Sequence, residues 1–119
     1  MLLEFVRDRR VATTAERLAV AEVLLASERP EEVEAAQSLA LGCTSERAAR
    51  PLAARAFDRL RRLAGEPQKY GTEIVVADGV RTLWTVDPNT TDSERAKWGL
   101  PGLAELQRRA HDGDGRAGS

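Results

Sequence analysis

The chain has 119 residues, of which 42% are hydrophobic and 31% charged, and this composition is typical of one folded globular domain rather than a disordered chain. Its formal net charge of −1 provides no overall positive field, so we expect neither nucleic-acid binding nor attraction to an anionic membrane. The single cysteine, Cys43, excludes an internal disulfide and a cysteine-based zinc site.

Helices are expected through the first half of the chain. Apolar residues followed by charges predict a short helix over 2–10, and the Thr13-Thr14-Ala15-Glu16 sequence matches a capping box that begins a second helix. Pro30 suits the first turn of a third helix, which runs to Leu41 and ends at Gly42.

The longest predicted helix begins at Thr44 and ends at Ala64, where Gly65 follows. Its apolar residues recur every three or four positions, which is the helical period. Pro51 falls inside this helix and indicates either a kink or a false start of the helix at Thr44-Ser45-Glu46.

The sequence then changes to β-branched runs over 73–77 and 80–86, separated by Asp78-Gly79. An Asp-Gly pair between such runs predicts a two-residue β-hairpin, at about 73–86. Since an isolated hairpin is marginal in water, one face is expected to lie on the helices or on another chain. A capped helix from Thr91 to Trp98 and a last helix after Pro101 complete the domain.

These elements predict a mainly α fold with one β-hairpin, in which helical hairpins pack against a two-stranded antiparallel ribbon. Residues 1–111 are expected to form a single domain, and the polar, glycine-containing segment 112–119 is expected to be a disordered tail.

A polar loop between the longest helix and the hairpin is the most unusual stretch of the sequence. It contains Gln68-Lys69-Tyr70-Gly71-Thr72, and loops that carry hydrogen-bonding side chains on a rigid scaffold are frequent binding sites. The alternative is structural: Gln68 and Tyr70 would tie the loop to free helix carbonyls.

Asp58 and Arg59 lie two turns before the end of the longest helix and are candidates for orienting a polar ligand above this loop. The structural alternative is that Arg59 pairs with a carboxylate such as Glu73 and fixes the helix to the hairpin. Trp84 and Trp98 are interpreted mainly as packing anchors in a chain with only 4% aromatic residues.

The motif set resembles a bacterial family known only as a domain of unknown function. The resemblance covers most of the chain and rests on these segments: Asp58-Arg59, Gln68-x-Tyr70-Gly71-Thr72, Thr91-Asp92-x-x-Arg95 and Leu100-Pro101-x-Leu103. It implies no established activity, but it implies that the motif residues lie together in space, namely Asp58, Arg59, Gln68, Tyr70, Gly71, Thr72 and Arg95.

The chain departs from this family at two places. Members usually carry a Gln-His pair where this chain has Leu25-Ala26, and the glutamine that ends their Gln-x-Tyr-Gly-Thr-Gln signature is Glu73 here. If the family's histidine transfers a proton, this chain has lost that group. The departures therefore favour binding over catalysis.

Three functions follow as hypotheses. The favoured one is a small accessory or ligand-binding domain for a small polar or anionic molecule, with these ligand-binding residues: Asp58, Arg59, Gln68, Tyr70, Thr72, Trp84 and Arg95. The second is a metal-independent acid–base enzyme of bacterial specialised metabolism, such as a hydrolase, isomerase or cyclase, with Glu73 and Tyr70 as catalytic residues. The third is a protein–protein interaction module, with a homodimer as one form.

No metal and no cofactor are expected, because the chain lacks a glycine-rich phosphate loop, a nucleophile elbow and a His-Glu metal motif. No apolar run reaches the roughly 20 residues that a membrane-spanning helix needs, and the Met1–Asp8 start is too charged for a secretion signal. A cytoplasmic location is therefore expected.

Overall fold

The structure is a computed structural model that describes residues 13–112. The predicted helix over 2–10 and residues 113–119 of the predicted tail lie outside this range. The described part contains five helices and one hairpin in this order: α1 (Thr14–Leu25), α2 (Pro30–Leu41), α3 (Ala49–Leu63), β1 (Ile74–Ala77), β2 (Val80–Leu83), α4 (Asp92–Lys97) and α5 (Leu103–Asp112). The predicted fold class, mainly α with one β-hairpin, is confirmed.

Helices α1, α2 and α3 enclose the main core. Its fully buried members are mostly alanine and leucine, which let the helices approach closely: Ala21, Leu24, Leu25, Val33, Ala36, Leu39, Ala40, Leu52, Ala53 and Ala56. The predicted capping box begins α1, since the Thr13 hydroxyl accepts from the Glu16 N–H while the Glu16 carboxylate accepts from the Thr13 N–H.

Helix α3 begins five residues later than the sequence predicted. The chain forms turns over 42–48, and α3 starts at Ala49, so that Pro51 lies in its first turn. Proline has no N–H to donate and its ring collides with the carbonyl four residues earlier, so a helix accepts it only near the amino-terminal end. The position of Pro51 therefore sets the start of this helix, and the helix does not begin at Thr44.

The hairpin turn has the conformation that its sequence predicted. Asp78 and Gly79 both have positive φ, 54° and 77°. A two-residue hairpin turn needs positive φ at both positions so that its backbone matches the twist of the two strands. The strands pair antiparallel from Ile74 opposite Leu83 to Ala77 opposite Val80.

Strand β2 ends at Leu83, three residues before the predicted end. The Trp84 N–H still donates to the carbonyl of Glu73 at 3.0 Å, but the chain before Glu73 turns away toward α3. Beyond Trp84 the partner is instead Gln68, which forms a parallel bridge to Val86. The turn that contains Gly71, with φ of 105°, thus shortens the ribbon.

The ribbon lies against α5, where the Arg81 Nε donates to the carbonyl of Ala110 at 3.2 Å. Gly99, with φ of 73°, follows Trp98 at the end of α4 and turns the chain away from that helix. Asp112, assigned to the tail by the sequence, is the last residue of α5, two residues beyond Ala110, and its carboxylate accepts from Arg108 one turn earlier at 3.1 Å. Within residues 13–112, no helix combines the length and the apolar character needed to cross a bilayer.

Candidate functional site

The Asp58 carboxylate organises the segment after α3, which we call the polar turn (68–73). One carboxylate oxygen accepts from the N–H groups of Lys69 and Tyr70 at 2.9 and 3.0 Å. The other accepts from the N–H groups of Gly71 and Thr72 at 3.1 and 3.0 Å, and from the Thr72 hydroxyl at 2.7 Å. Five donors thus converge on one buried side chain, and they bend the backbone around it.

Asp58 has no access to solvent, since its exposed fraction is 0%. Burial raises the pKa of the Asp58 carboxyl above its ordinary value of 3.8, while the hydrogen bonds from Tyr70, Thr72 and Lys69 oppose that rise. Because both oxygens are occupied by the protein's own donors, Asp58 holds the turn rather than a ligand.

Gln68 joins the polar turn to the hairpin through its side chain. Its amide nitrogen donates to the carbonyls of Glu73 and Trp84 at 3.0 and 2.8 Å, and its amide oxygen accepts from the Glu73 N–H at 2.8 Å. The buried amide therefore continues the strand ladder where the backbone has turned away.

Two arginines of α3 hold the carboxylate of Glu73. Arg59 donates to both oxygens at 3.1 Å, and the Arg62 Nε donates to one of them at 2.7 Å. Arg59 also donates to the carbonyl of Leu25 at 2.6 Å, and Arg62 reaches Glu28 at 2.8 Å. The hydrogen bond to Glu73 raises the pKa of Arg62, and that from Arg62 lowers the pKa of Glu28. The cluster joins α1, α3 and the base of the hairpin.

Arg95 reaches the polar turn from the opposite side. Its guanidinium donates to the carbonyl of Tyr70 at 2.7 Å, to the carbonyl of Thr90 at 3.2 Å and to the carboxylate of Asp92 at 2.9 Å. The side chain is only 2% exposed, and its Nη2 has no hydrogen-bond partner in the described part of the chain.

The predicted residues are thus close together, but their polar atoms are directed at one another. Arg59 binds Glu73, which is the structural alternative stated from the sequence, and Arg95 binds the Tyr70 carbonyl rather than its phenol. The Tyr70 ring packs on Phe57 and Trp98. The assignments of ligand-binding and catalytic roles to these residues stay predictions, since no contact here tests them.

Glu73 is 4% exposed and both of its oxygens are occupied by guanidinium groups. A general acid or base must reach the proton it transfers. The acid–base hypothesis therefore gains no support from the position of this carboxylate.

Two cavities of this region share no lining residue. The larger, which we call the hairpin cleft, has a volume of about 540 Å³ and lies between the segment 82–88 and α5. Its remaining lining residues are Thr90, Leu103, Gln107 and His111. Trp84 is the one predicted ligand-binding residue that lines it.

Thr90 is the most informative residue of the hairpin cleft. It is 7% exposed, and its hydroxyl has no hydrogen-bond partner within residues 13–112. A buried hydroxyl without a partner costs free energy that most folded proteins avoid.

The second cavity, which we call the aromatic cavity, has a volume of about 300 Å³. It is lined by Gln37, Leu41, Ala53, Ala54, Phe57, Tyr70 and Trp98. Tyr70 is the one predicted site residue among them, and it contributes its ring rather than a polar contact to the protein.

Sequence reasoning missed Thr90 and the polar residues of α5. A signal was present, since Leu103, Gln107 and His111 recur at intervals of four and therefore share one face of a helix. Thr90 gave no such signal, because only the fold reveals that its hydroxyl is buried.

Among the described residues, no group of three or more histidine, cysteine, aspartate or glutamate side chains is arranged to hold a metal ion. Comparisons of the chain with protein-family models, curated proteins and solved structures gave no match. The resemblance to a family of unknown function stays a prediction.

Proposed function

We propose that the protein is a small ligand-binding domain whose hairpin cleft holds a neutral, hydroxyl-rich molecule. The observation that carries this proposal is the buried Thr90 hydroxyl, which has no hydrogen-bond partner within residues 13–112 and belongs to a residue that lines this cleft of about 540 Å³. A cavity of this size with a few convergent polar groups is the usual form of a small-molecule site.

The lining of the hairpin cleft supports a neutral ligand over an anionic one. No lysine or arginine lines the cleft, and Asp87 contributes a carboxylate that would repel an anion. The cleft offers the carboxylate of Asp87, the hydroxyl of Thr90 and the amide of Gln107. These groups can donate and accept hydrogen bonds with the neighbouring hydroxyls of a polyol. Trp84 adds a large apolar surface for the carbon skeleton of such a ligand.

The polar turn supports this function indirectly, by holding the cleft wall. The Gln68 amide binds the Trp84 carbonyl, and the Trp84 indole N–H donates to the carbonyl of Glu66 at 2.7 Å. Both ends of the tryptophan are fixed before any ligand arrives, so little side-chain entropy is lost on binding.

A titration of the full chain with a panel of sugars and polyols, followed by NMR, tests the proposal. We expect at least one compound to shift the Trp84 indole N–H resonance. Thr90→Val should weaken the affinity for that compound about tenfold without lowering the unfolding temperature, because the hydroxyl it removes has no hydrogen-bond partner among residues 13–112.

Thr44→Val, which removes a hydroxyl outside the cleft, is the matched control and should leave the affinity unchanged. Two results count against the proposal: a panel in which no compound moves the Trp84 signal, and an affinity that Thr90→Val leaves unaltered.

A second function, pairing with another chain or a second copy, is supported by the outer edge of β1. Within the described residues β1 pairs only with β2, and Val76 in this β-branched strand is 64% exposed. Such an edge accepts a further strand. Light scattering across a range of concentrations tests this, and a monomer throughout counts against self-pairing.

We assign the domain to the cytoplasm, on the ground that Cys43 is a single, buried, free cysteine. Unpaired thiols are ordinary in that reducing compartment.

A further inference from the structure

The aromatic cavity has walls made of rings and small side chains. The Tyr70 ring lies between two others, with centroids 6.0 Å from Phe57 and 6.1 Å from Trp98, at interplanar angles of 70° and 55°. Ala53 and Ala54 of α3 leave the space that larger side chains would fill. Edge-on rings around a gap of this size suit a flat apolar group.

Positive charge lies beside this cavity without a matching negative charge. A neighbouring cavity of about 310 Å³ shares Trp98 as a wall and is otherwise lined by Thr44, Arg50 and Lys97. No acidic residue lines either cavity. Over residues 13–112, neither Arg50 nor Lys97 forms an ion pair.

Lys69, which lies near the Tyr70 ring, already has an acidic partner. Lys69 lies 5.7 Å from the centre of the Tyr70 ring and is 3.6 Å from a carboxylate oxygen of Glu94. Arg50 differs, because its Nε donates only to the main-chain carbonyl of Thr44 at 3.1 Å, which holds the guanidinium beside the cavity while leaving its charge unpaired.

We infer that these adjoining cavities form a second binding site, for a small amphipathic anion. Its aromatic or short aliphatic body would enter the aromatic cavity, and its carboxylate or sulfonate head would lie between Arg50 and Lys97. This inference goes beyond the proposed function, since the hairpin cleft shares no lining residue with these cavities and is lined by no cation. The two sites therefore select opposite kinds of ligand.

Two probes with nearly the same body test the inference on the full chain. Anilinonaphthalene sulfonate carries an anionic head, while phenylnaphthylamine is its neutral counterpart. We expect the sulfonate to bind with a stoichiometry of one and to shift the Trp98 indole N–H resonance more than that of Trp84. The shift at Trp98 locates the probe, and it separates this site from the hairpin cleft.

The double variant Arg50→Gln/Lys97→Gln tests the role of charge. Both side chains are exposed, so the fold should be retained. We expect sulfonate affinity to fall about tenfold and phenylnaphthylamine affinity to stay the same, because only the anionic head meets the two cations. Arg108→Gln/Arg109→Gln, which removes the same charge from α5, is the matched control and should change neither affinity.

Four results would overturn the inference. The sulfonate could fail to bind or shift Trp84 instead of Trp98, the double variant could bind it as tightly as the original chain, or the α5 control could weaken it equally. The last result would mean that net charge alone governs binding. The hydroxyl-rich ligand of the hairpin cleft is tested separately, by the sugar and polyol titration and by Thr90→Val.

Discussion

Replacing Asp58 by asparagine tests whether this carboxylate holds the polar turn. Asparagine has the same shape, but one of its two terminal atoms donates instead of accepting. One carboxylate oxygen of Asp58 accepts from two donors and the other from three, so either orientation of the amide sets an NH₂ group against at least two donors.

The expected loss follows from these contacts. Hydrogen bonds to a charged group contribute about 1.5–3 kcal/mol each, so losing two removes roughly 3–6 kcal/mol. Relief from burying the charge offsets part of this. We expect Asp58→Asn to lower the free energy of unfolding by about 3 kcal/mol, a large fraction of the 5–15 kcal/mol typical of a domain.

Urea unfolding measures this loss, with tryptophan fluorescence and far-UV circular dichroism followed together. Trp84 reports on the hairpin and Trp98 on the helical core, and coincident transitions would justify a two-state analysis. Asp112→Asn, at an exposed carboxylate, is the control and should cost less than about 0.5 kcal/mol. A loss below about 1 kcal/mol for Asp58→Asn would refute the reasoning and would mean that other contacts, such as those of Gln68, hold the turn.

Three further predictions follow, two for the polar turn and one for an ion-pair cluster on α5. Glu73→Gln leaves two partly buried arginines without their shared carboxylate, so we expect about 2 kcal/mol of destabilisation in urea unfolding. Gly71→Ala forces a side chain onto φ of 105°, with its Cβ 3.2 Å from Leu106, and should cost about 2 kcal/mol by the same assay. Hydrogen bonds from two arginines lower the pKa of Glu105 from 4.5 to about 2, and an NMR titration should find this lowered pKa. The stability that the carboxylate contributes should therefore be present above pH 4.5 and be lost as pH falls toward 2.

Each of these predictions has its own control. Arg55 is an exposed arginine of α3, the helix that carries the two arginines bound to Glu73. Arg55→Gln should therefore change the free energy of unfolding far less than Glu73→Gln. Gly65→Ala meets nothing within 4 Å at φ of 76°, so an equal cost at Gly65 and Gly71 would discount the contact with Leu106. Glu105→Gln should remove the corresponding acid-dependent part of stability, and an unchanged pH profile would contradict the assignment.

The helices and the hairpin could be predicted from sequence because local rules decide them. The Thr13–Glu16 capping box and the Asp78-Gly79 turn need no distant partner, and both have the expected geometry. The start of α3 was missed because the sequence predicted it at Thr44, although Pro51 lies further along. A helix that began at Thr44 would bring the Pro51 ring against a carbonyl of the preceding turn, and this collision is avoided when the helix begins at Ala49.

The grouping of residues around the polar turn was predictable from sequence, but the hairpin cleft was not, apart from Trp84. Sequence patterns brought Asp58 and the polar turn to one place, and Arg59 with Glu73 was foreseen as a structural pair. The direction of each polar atom was not foreseen, because whether Gln68 faces a ligand or a main-chain carbonyl depends on a backbone path set by distant contacts. The two cavities could not be predicted from sequence for the same reason, because Thr90 and Trp98 meet the other lining residues only through tertiary packing.

The anchoring of the polar turn to Asp58 has a consequence for hydrogen exchange. Four successive amides, those of residues 69–72, lie outside any helix or strand, yet all donate to a side chain buried in α3. An amide exchanges with solvent only when its hydrogen bond opens. Opening these four requires the turn to detach from the helix as a unit. In deuterated water this irregular stretch should therefore retain its protons about as long as the helical core, and all four amides should lose them together.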